Sequence, residues 1–446
     1  MRASTTLPRQ VHLGYAAGSL VTGTFGTVPG LLLLPYLTDT MGVAAGLAGL
    51  LVLVPKGWDI LVNPVAGRLS DRRGDRRPFL LGGGLALAVL FAAIFAAPAG
   101  RGPVAAAYVA VAFLVAATAY AFFQVPYVAM PAEITDGYAE RTRLMTWRVA
   151  VLALAILASG AVAPLVVSAG GHGIPGHRWM GLFCAALIVA GTVGVYAGTR
   201  GVTAGPVRES EPSLRAQLAV ARANRPFRLL LACTVIQAAG IGTMLAGVKY
   251  FADHVLERPD DGPTFLFACF VGPALLVMPL WRRAAGRWGK PRSFAVASAL
   301  FAGAALALLA APALPPAAVY LLVAVVGCGY AGQQVFEMAM LPDCIAYDTA
   351  RTGRRQAGVF TGLWAAGETL GLALGPGVYA LTLQLFGYAS SDTGASAAQS
   401  GTARLGVLVG FTVLPALLIA AGIVAMRGYD LTEERLLSTG AGALET

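Results

Sequence analysis

The chain has 446 residues, of which 57% are apolar and only 12% charged, with a formal net charge of +10. So little polar surface cannot cover a water-soluble globule of this size, which excludes an ordinary soluble enzyme and makes lipid the main solvent. The basic excess would suggest nucleic acid in a soluble chain, but here it sits in the breaks between apolar runs, and no nucleic-acid partner is expected.

Those runs are mostly about 20 residues long, the length a helix needs to cross the hydrocarbon core. They fall near residues 13–37, 43–66, 79–99, 104–131, 144–169, 178–198, 229–253, 264–281, 293–311, 317–341, 357–385 and 403–426. Helices are expected because lipid offers the backbone no hydrogen-bond partners. The first run is too long for a signal-peptide core and reads as a retained span. Cys184, Cys233, Cys269, Cys328 and Cys344 lie in or beside apolar runs without CxxC spacing, and read as reduced packing residues. His172 and His177, with no Cys or acid beside them, read as solvated loop residues rather than metal ligands.

Connections leaving odd-numbered spans contain only Arg101, Arg178, Arg258 and Arg404, while Lys56, Arg148 and Lys249 lie within or at the edge of spans. All other Lys and Arg fall on the opposite side, which by the positive-inside rule is cytoplasmic and holds both termini. The longest polar connection divides the chain into a six-helix bundle over 1–199, a linker over 200–228, and a second bundle with a short tail over 229–446. Within the linker, the stretch from Ser213 to Arg222 has apolar residues at helical spacing with arginines between, as in an amphipathic helix on the inner membrane surface.

The halves repeat one another. Pro64, Arg68, Arg72, Gly74, Arg77 and Phe79 coincide at one offset with Pro279, Arg283, Arg287, Gly289, Arg292 and Phe294. Gln124 to Glu133 in the fourth span likewise matches Gln334 to Asp343 in the tenth. A duplicated bundle is the usual plan of a secondary transporter.

The loop Gly67-Arg-Leu-Ser-Asp71-Arg72-Arg-Gly-Asp-Arg76-Arg77 resembles the signature of the major facilitator superfamily, Gly-x-Leu-Ser-Asp-Arg-x-Gly-Arg-Arg. Upstream, Lys56-Gly-Trp58-Asp59-Ile-Leu-Val-Asn63-Pro64 is similar to the second span of the glycoside-pentoside-hexuronide cation symporters, the melibiose permease group. Tyr15 to Gly18, Pro126 with Glu133, and Arg148 extend the likeness over most of the chain. The resemblance implies an all-α fold of twelve transmembrane helices in two bundles and a conformational latch at Gly67, Asp71, Arg72, Arg76 and Arg77. It also implies cation-coupled sugar transport across the inner membrane. The chain departs from the pattern at Ser19, Val62, Asn63 and Gln124, where the family carries acids or Asn, and at Glu368, near a typical lysine.

A charge at bilayer depth costs about 3 kcal/mol, so each needs a partner or a wet cavity. Lys56, Asp59 and Asn63, at i, i+3 and i+7, share one helical face and are the candidate cation-coupling residues, with a proton favoured over Na⁺ because a lone carboxylate offers few charged oxygens. Candidate substrate contacts are Ser19, Tyr120, Gln124, Arg148, Lys249, Gln334, Glu337, Trp364 and Glu368. No metal or cofactor is expected beyond a bound H⁺ or Na⁺.

The expected function is alternating-access symport of a sugar, glycoside or related solute by a monomer in the bilayer. Transport of an amphiphile or lysolipid, export of a metabolite, and a non-transporting sensor remain open. An embedded enzyme is disfavoured by the lack of HExxH or GxSxG.

Overall fold

The structure is a computed structural model that describes residues 7–73, 75–97, 103–134, 138–201, 221–352, 357–391 and 398–431. Regular structure among them is entirely helical, as a hydrocarbon solvent requires. Nine of the described helices are long and apolar enough to cross a membrane, and Gly262–Pro273 with Met278–Trp288, bent by 45°, forms one broken span. Two 29-residue helices, Ala45–Arg73 and Ala357–Leu385, complete the twelve. Charged residues in the first and recurrent glycines in the second lower their hydropathy.

The chain divides into two compact units. The first holds residues 1–210 with the segments 259–264 and 388–399, and the second holds the remainder. The division falls inside the expected linker, whose residues 202–220, including most of the expected amphipathic helix, lie outside the described residues.

Unit one contains α1 (Arg9–Val28), α2 (Ala45–Arg73), α3 (Arg77–Ile94), α4 (Pro103–Ala129), the short α5 (Pro131–Ile134), α6 (Tyr138–Ala169) and α7 (Gly173–Gly198). Two π-helical turns, Pro29–Leu33 and Tyr36–Thr40, extend the first span beyond α1. Here α1 packs on α6 and α7, α2 on α4, and α3 on α4 and α7. Residues 259–264, 388–391 and 398–399 are grouped with this unit. Tyr388 O–H donates to buried Asp39 Oδ1 at 3.0 Å, Ser391 N–H to the Thr38 carbonyl at 2.9 Å, and Asp260 Oδ1 lies 3.0 Å from His172.

Unit two contains most of the rest: α8 (Arg225–His254), α9 (Gly262–Leu276), α10 (Met278–Trp288), α11 (Lys290–Ala307), α12 (Pro316–Thr352), α13 (Ala357–Leu385) and α14 (Gly401–Ala425). Its packing repeats that of unit one: α8 lies on α13 and α14, α10 on α12, and α11 on α12 and α14. The internal match read in the sequence is therefore a match of helix neighbours. Asn224 caps α8, accepting from Phe227 N–H at 3.0 Å, and donates to the Cys344 carbonyl at 2.9 Å, tying the start of α8 to α12.

The first helix of each unit is its most enclosed, and glycines permit the approach. A Cβ on Gly14 would lie 2.4 Å from Cα of Gly198, and one on Gly375 would lie 2.3 Å from the Gly242 carbonyl carbon. Between apolar helices in lipid, close backbone contact through small residues replaces the hydrophobic drive available in water. His177, expected in a loop, instead sits within α7, buried against Tyr36 and Phe95, because α7 starts at Gly173, earlier than the apolar run suggests. The five cysteines are unbridged.

Replacing Gly198 by Val forces α1 and α7 apart and is expected to destabilise unit one by about 1–3 kcal/mol. Thermal unfolding in detergent reads this as a lowered Tm, with Gly201→Ala, where nothing lies within 4 Å, as the unchanged control.

Candidate functional site

The polar residues singled out in the sequence gather into two separate clusters, one in each unit. In unit one the hub is Tyr127 on α4. Its ring stacks on Tyr15 of α1 with centroids 4.7 Å apart, and its O–H donates to the Tyr15 carbonyl at 2.9 Å. Ser19, one turn along α1, lies 3.1 Å from the Tyr127 hydroxyl and donates to the Arg148 carbonyl of α6 at 3.0 Å. Gly18 makes this possible, since a Cβ there would sit 2.4 Å from the Tyr127 ring.

The Arg148 guanidinium lies over the Tyr127 ring, 5.3 Å from its centroid, a favourable cation–π geometry. Its Nε is buried and makes no hydrogen bond among the described residues. Asp59 on α2 is buried. The charges of Asp59 and Arg148 both act on the Tyr120 hydroxyl of α4, whose ring packs on Phe25 at 4.4 Å. Thus Ser19, Asp59, Tyr120 and Arg148 converge from four helices. Gln124 is half-buried one turn beyond Tyr120, and Asn63 is half-buried one turn beyond Asp59. Trp58 secures α2 to α4 by donating from Nε1 to Thr118 Oγ1 at 2.9 Å. The Lys56 side chain lies outside the described residues.

In unit two, Tyr330, Gln334 and Glu337 stand at i, i+4 and i+7 on one face of α12. Gln334 Nε2 donates to the Tyr330 hydroxyl at 3.2 Å, and Glu368 on α13 is half-buried. Glu337 is buried. Trp364, one turn before Glu368, is 3% exposed. Lys249 belongs to neither cluster's core: its Nζ lies 2.7 Å from Asp253 Oδ2, one turn along α8.

Of the latch residues, Gly67 packs against Val125 at 3.5 Å from its absent Cβ. Ser70 donates to the Gly67 carbonyl at 2.9 Å and accepts from Arg76 Nη1 at 3.3 Å. Arg77 donates to the Arg200 carbonyl at 3.0 Å. The Asp71 and Arg72 side chains lie outside the described residues. The repeat-equivalent region of unit two joins the start of α11 to α12 through Lys290 Nζ, 2.6 Å from Asp343 Oδ2 and 3.1 Å from the Ala339 carbonyl.

Two paired polar clusters on a duplicated all-helical membrane scaffold point to a carrier. The match to known families decides it: residues 14–433 match the MFS/sugar transport protein family. The chain belongs to that family. YagG of Escherichia coli K12, named as a glycoside/cation symporter, is 26% identical over 97% of this chain and 94% of its own. The inner membrane symporter YicJ of the same organism is 25% identical over 97% of this chain and 94% of its own. The isoprimeverose transporter of Lactiplantibacillus pentosus is 23% identical, covering 90% and 85%. Among solved structures, a bacterial homologue of the lysosomal transporter Spinster superposes with a TM-score of 0.67 at 14% identity, covering 97% of this chain and 96% of its own. The nucleoside transporter NupG does so at 0.65 and 15%, covering 93% and 99%. The fold is therefore the twelve-helix major facilitator fold, and this family member is a multi-pass membrane transporter, not an enzyme.

The hub Tyr127 and the bridging Tyr330 were not among the candidates drawn from sequence. Both stand one turn from a polar candidate on the same helix, Tyr127 after Gln124 and Tyr330 before Gln334, which is the signal that would have found them.

Ser19→Ala and Tyr127→Phe each remove one member of a shared hydrogen-bonded set and should each cost about 1 kcal/mol. Their effects are expected to be non-additive by about 0.5 kcal/mol or more, because both lean on the same partners. A double-mutant cycle of unfolding free energies in detergent checks this.

Proposed function

We propose that the protein is a secondary active symporter that couples cation entry to uptake of a sugar, glycoside or related small organic solute. It works as a monomer by alternating access in the inner membrane, with both termini cytoplasmic. The observation that carries this reading is a pair of opposite charges within the spans of unit one: Asp59 is buried on α2, and Arg148 of α6 lies over the Tyr127 ring with its Nε–H lacking an acceptor among the described residues. An intramembrane guanidinium held from one face by Tyr127 offers its remaining N–H groups to a sugar hydroxyl or carboxylate. Ser19 is committed to the Tyr127 and Arg148 contacts, and so shapes the cluster rather than gripping cargo.

Asp59 supplies the cation dependence. A buried carboxylate is costly while ionised, so a proton or Na⁺ that neutralises it changes which conformation is preferred. With Asn63 in place of a second acid, the oxygen set is poor in charge for a hard metal ion, which favours H⁺. The naming of YagG as a glycoside/cation symporter supports both the cargo class and the coupling, the isoprimeverose transporter supports the cargo class, and YicJ, named as a symporter, supports the coupling.

Asp59→Asn fixes the site in its neutral form. Accumulation of a transported sugar against its gradient is expected to fall to background in proteoliposomes, while counterflow exchange persists. Undiminished accumulation, or accumulation that follows a Na⁺ gradient at constant pH, overturns the assignment.

Orientation is tested with single cysteines in a background lacking the five native ones. A cysteine at Arg258 should react with a membrane-impermeant maleimide added to intact cells, and one at Arg287 only after permeabilisation. The reverse pattern places the termini outside.

A further inference from the structure

The repeat that pairs residues 64–79 with 279–294 kept its arginines and lost its acids. Asp71 and Asp75 of the first copy are matched by Gly286 and Lys290 in the second, and from residue 278 to 294 the chain carries five basic residues and no acid. Arg283, Arg287 and Arg292 stand at the positions of Arg68, Arg72 and Arg77. Topology calls for basic residues on the inner side; it does not call for removing the acids from one copy only.

The copies differ in shape as well. The first continues its span as one helix, α2, whereas in the second α10 leaves the axis of α9 by 45°. Trp281 fixes which side of α10 faces the bundle: it is buried, donates from Nε1 to the Cys328 carbonyl of α12 at 2.9 Å, and meets Phe336 edge-on. Arg283 and Arg287, at i and i+4, therefore share an outward stripe with the exposed Leu280. Arg282, Arg292 and, at the end of α10, Trp288 are exposed too. None of these four arginines makes an ion pair or side-chain hydrogen bond among the described residues, while Lys290 is held by Asp343. Like charges one helical turn apart repel, and an anion lying between Arg283 and Arg287 relieves that repulsion. A basic helix edged with leucine and tryptophan, set obliquely to its span, has the pattern of a segment that lies in the headgroup layer.

We propose that α10 and the start of α11 form a binding site for anionic phospholipid of the inner leaflet, with the phosphate seated between Arg283 and Arg287 and the acyl chains beside Leu280 and Trp288. Arg282 and Arg292 add to the attraction. A zwitterionic lipid carries its own cation and gains less there. The site ties the second half to the charge of the surrounding leaflet more than the first, where two acids offset the arginines. Its placement in the inner leaflet rests on the orientation proposed above.

The test is native mass spectrometry of the full chain in neutral detergent with dioleoylphosphatidylglycerol and dioleoylphosphatidylcholine at equal concentration. Phosphatidylglycerol is expected to be retained in preference, less so as salt is raised. Arg283→Gln and Arg287→Gln should each weaken its binding about fivefold. Arg222→Gln combined with Arg228→Gln, which removes exposed charge elsewhere on the same membrane face, should leave it unchanged. Gly286→Asp restores an acid at the repeat position and should weaken binding, whereas its neutral isostere Gly286→Asn should not; nothing lies within 4 Å of a Cβ at Gly286, so both side chains fit. Equal retention of the two lipids, equal losses in Gly286→Asp and Gly286→Asn, or arginine variants that bind like the wild type overturn the proposal. So does displacement of the lipid by inorganic phosphate, which assigns a plain anion site, or by a pentaglutamate peptide, which assigns an acidic protein partner. These measurements in detergent do not depend on sidedness: should a cysteine at Arg287 react from outside the cell, the orientation falls and the lipid preference stands.

Discussion

Everything in this protein follows from the scarcity of hydrogen-bond partners in hydrocarbon. Backbone groups satisfy one another inside helices, and polar side chains must find partners within the bundle or hold a place for a ligand. That demand explains why the Tyr127 hydroxyl, Ser19 and the backbone of Tyr15 and Arg148 are knitted together, each polar atom answering another. It also gives meaning to the few groups left unanswered. In a medium so costly to unpaired polarity, a buried Arg148 Nε without an acceptor among the described residues is the opening that the proposed cargo contact uses.

The two halves use one scaffold for unlike chemistry. Their helix neighbours repeat, yet unit one holds one acid and one base, Asp59 and Arg148, within its spans, whereas unit two holds two acids, Glu337 and Glu368. Duplication preserved the packing rules, which depend on small residues at helix crossings. It left the polar positions free to diverge, since a site needs only a few side chains on faces that already meet.

Much of the fold is legible in the sequence. Apolar runs of membrane length locate the spans, and the Pro64 and Pro279 repeats announce the duplication. Asp59 and Glu368 lie on α2 and α13, which are not among the nine most apolar spans. What periodicity cannot convey is which faces meet. Spacing puts Asp59 and Asn63 on one side of α2, but only the packed bundle brings Ser19 of α1, Tyr127 of α4 and Arg148 of α6 together. Asp39 shows a further limit: it follows the first apolar run and looks like a loop residue, whereas π-helical turns carry the chain on and bury it against Tyr388. His177 is missed for the same reason at the start of α7, where glycine and proline suggest a turn.

The glycine contact between α1 and α7 has a mechanical side. Gly191, Gly194 and Gly198 present three successive recesses to α1, filled by Ala17, Leu20, Val21 and the backbone of Gly14. Sliding α1 along α7 by one helical turn would carry larger side chains into recesses cut for none, so the pair has a single axial setting, like a key seated in its wards. A bundle pinned in this way can tilt as a stiff lever but cannot shear internally along that seam, and any yielding during the transport cycle is displaced to helices that bear on one another less closely.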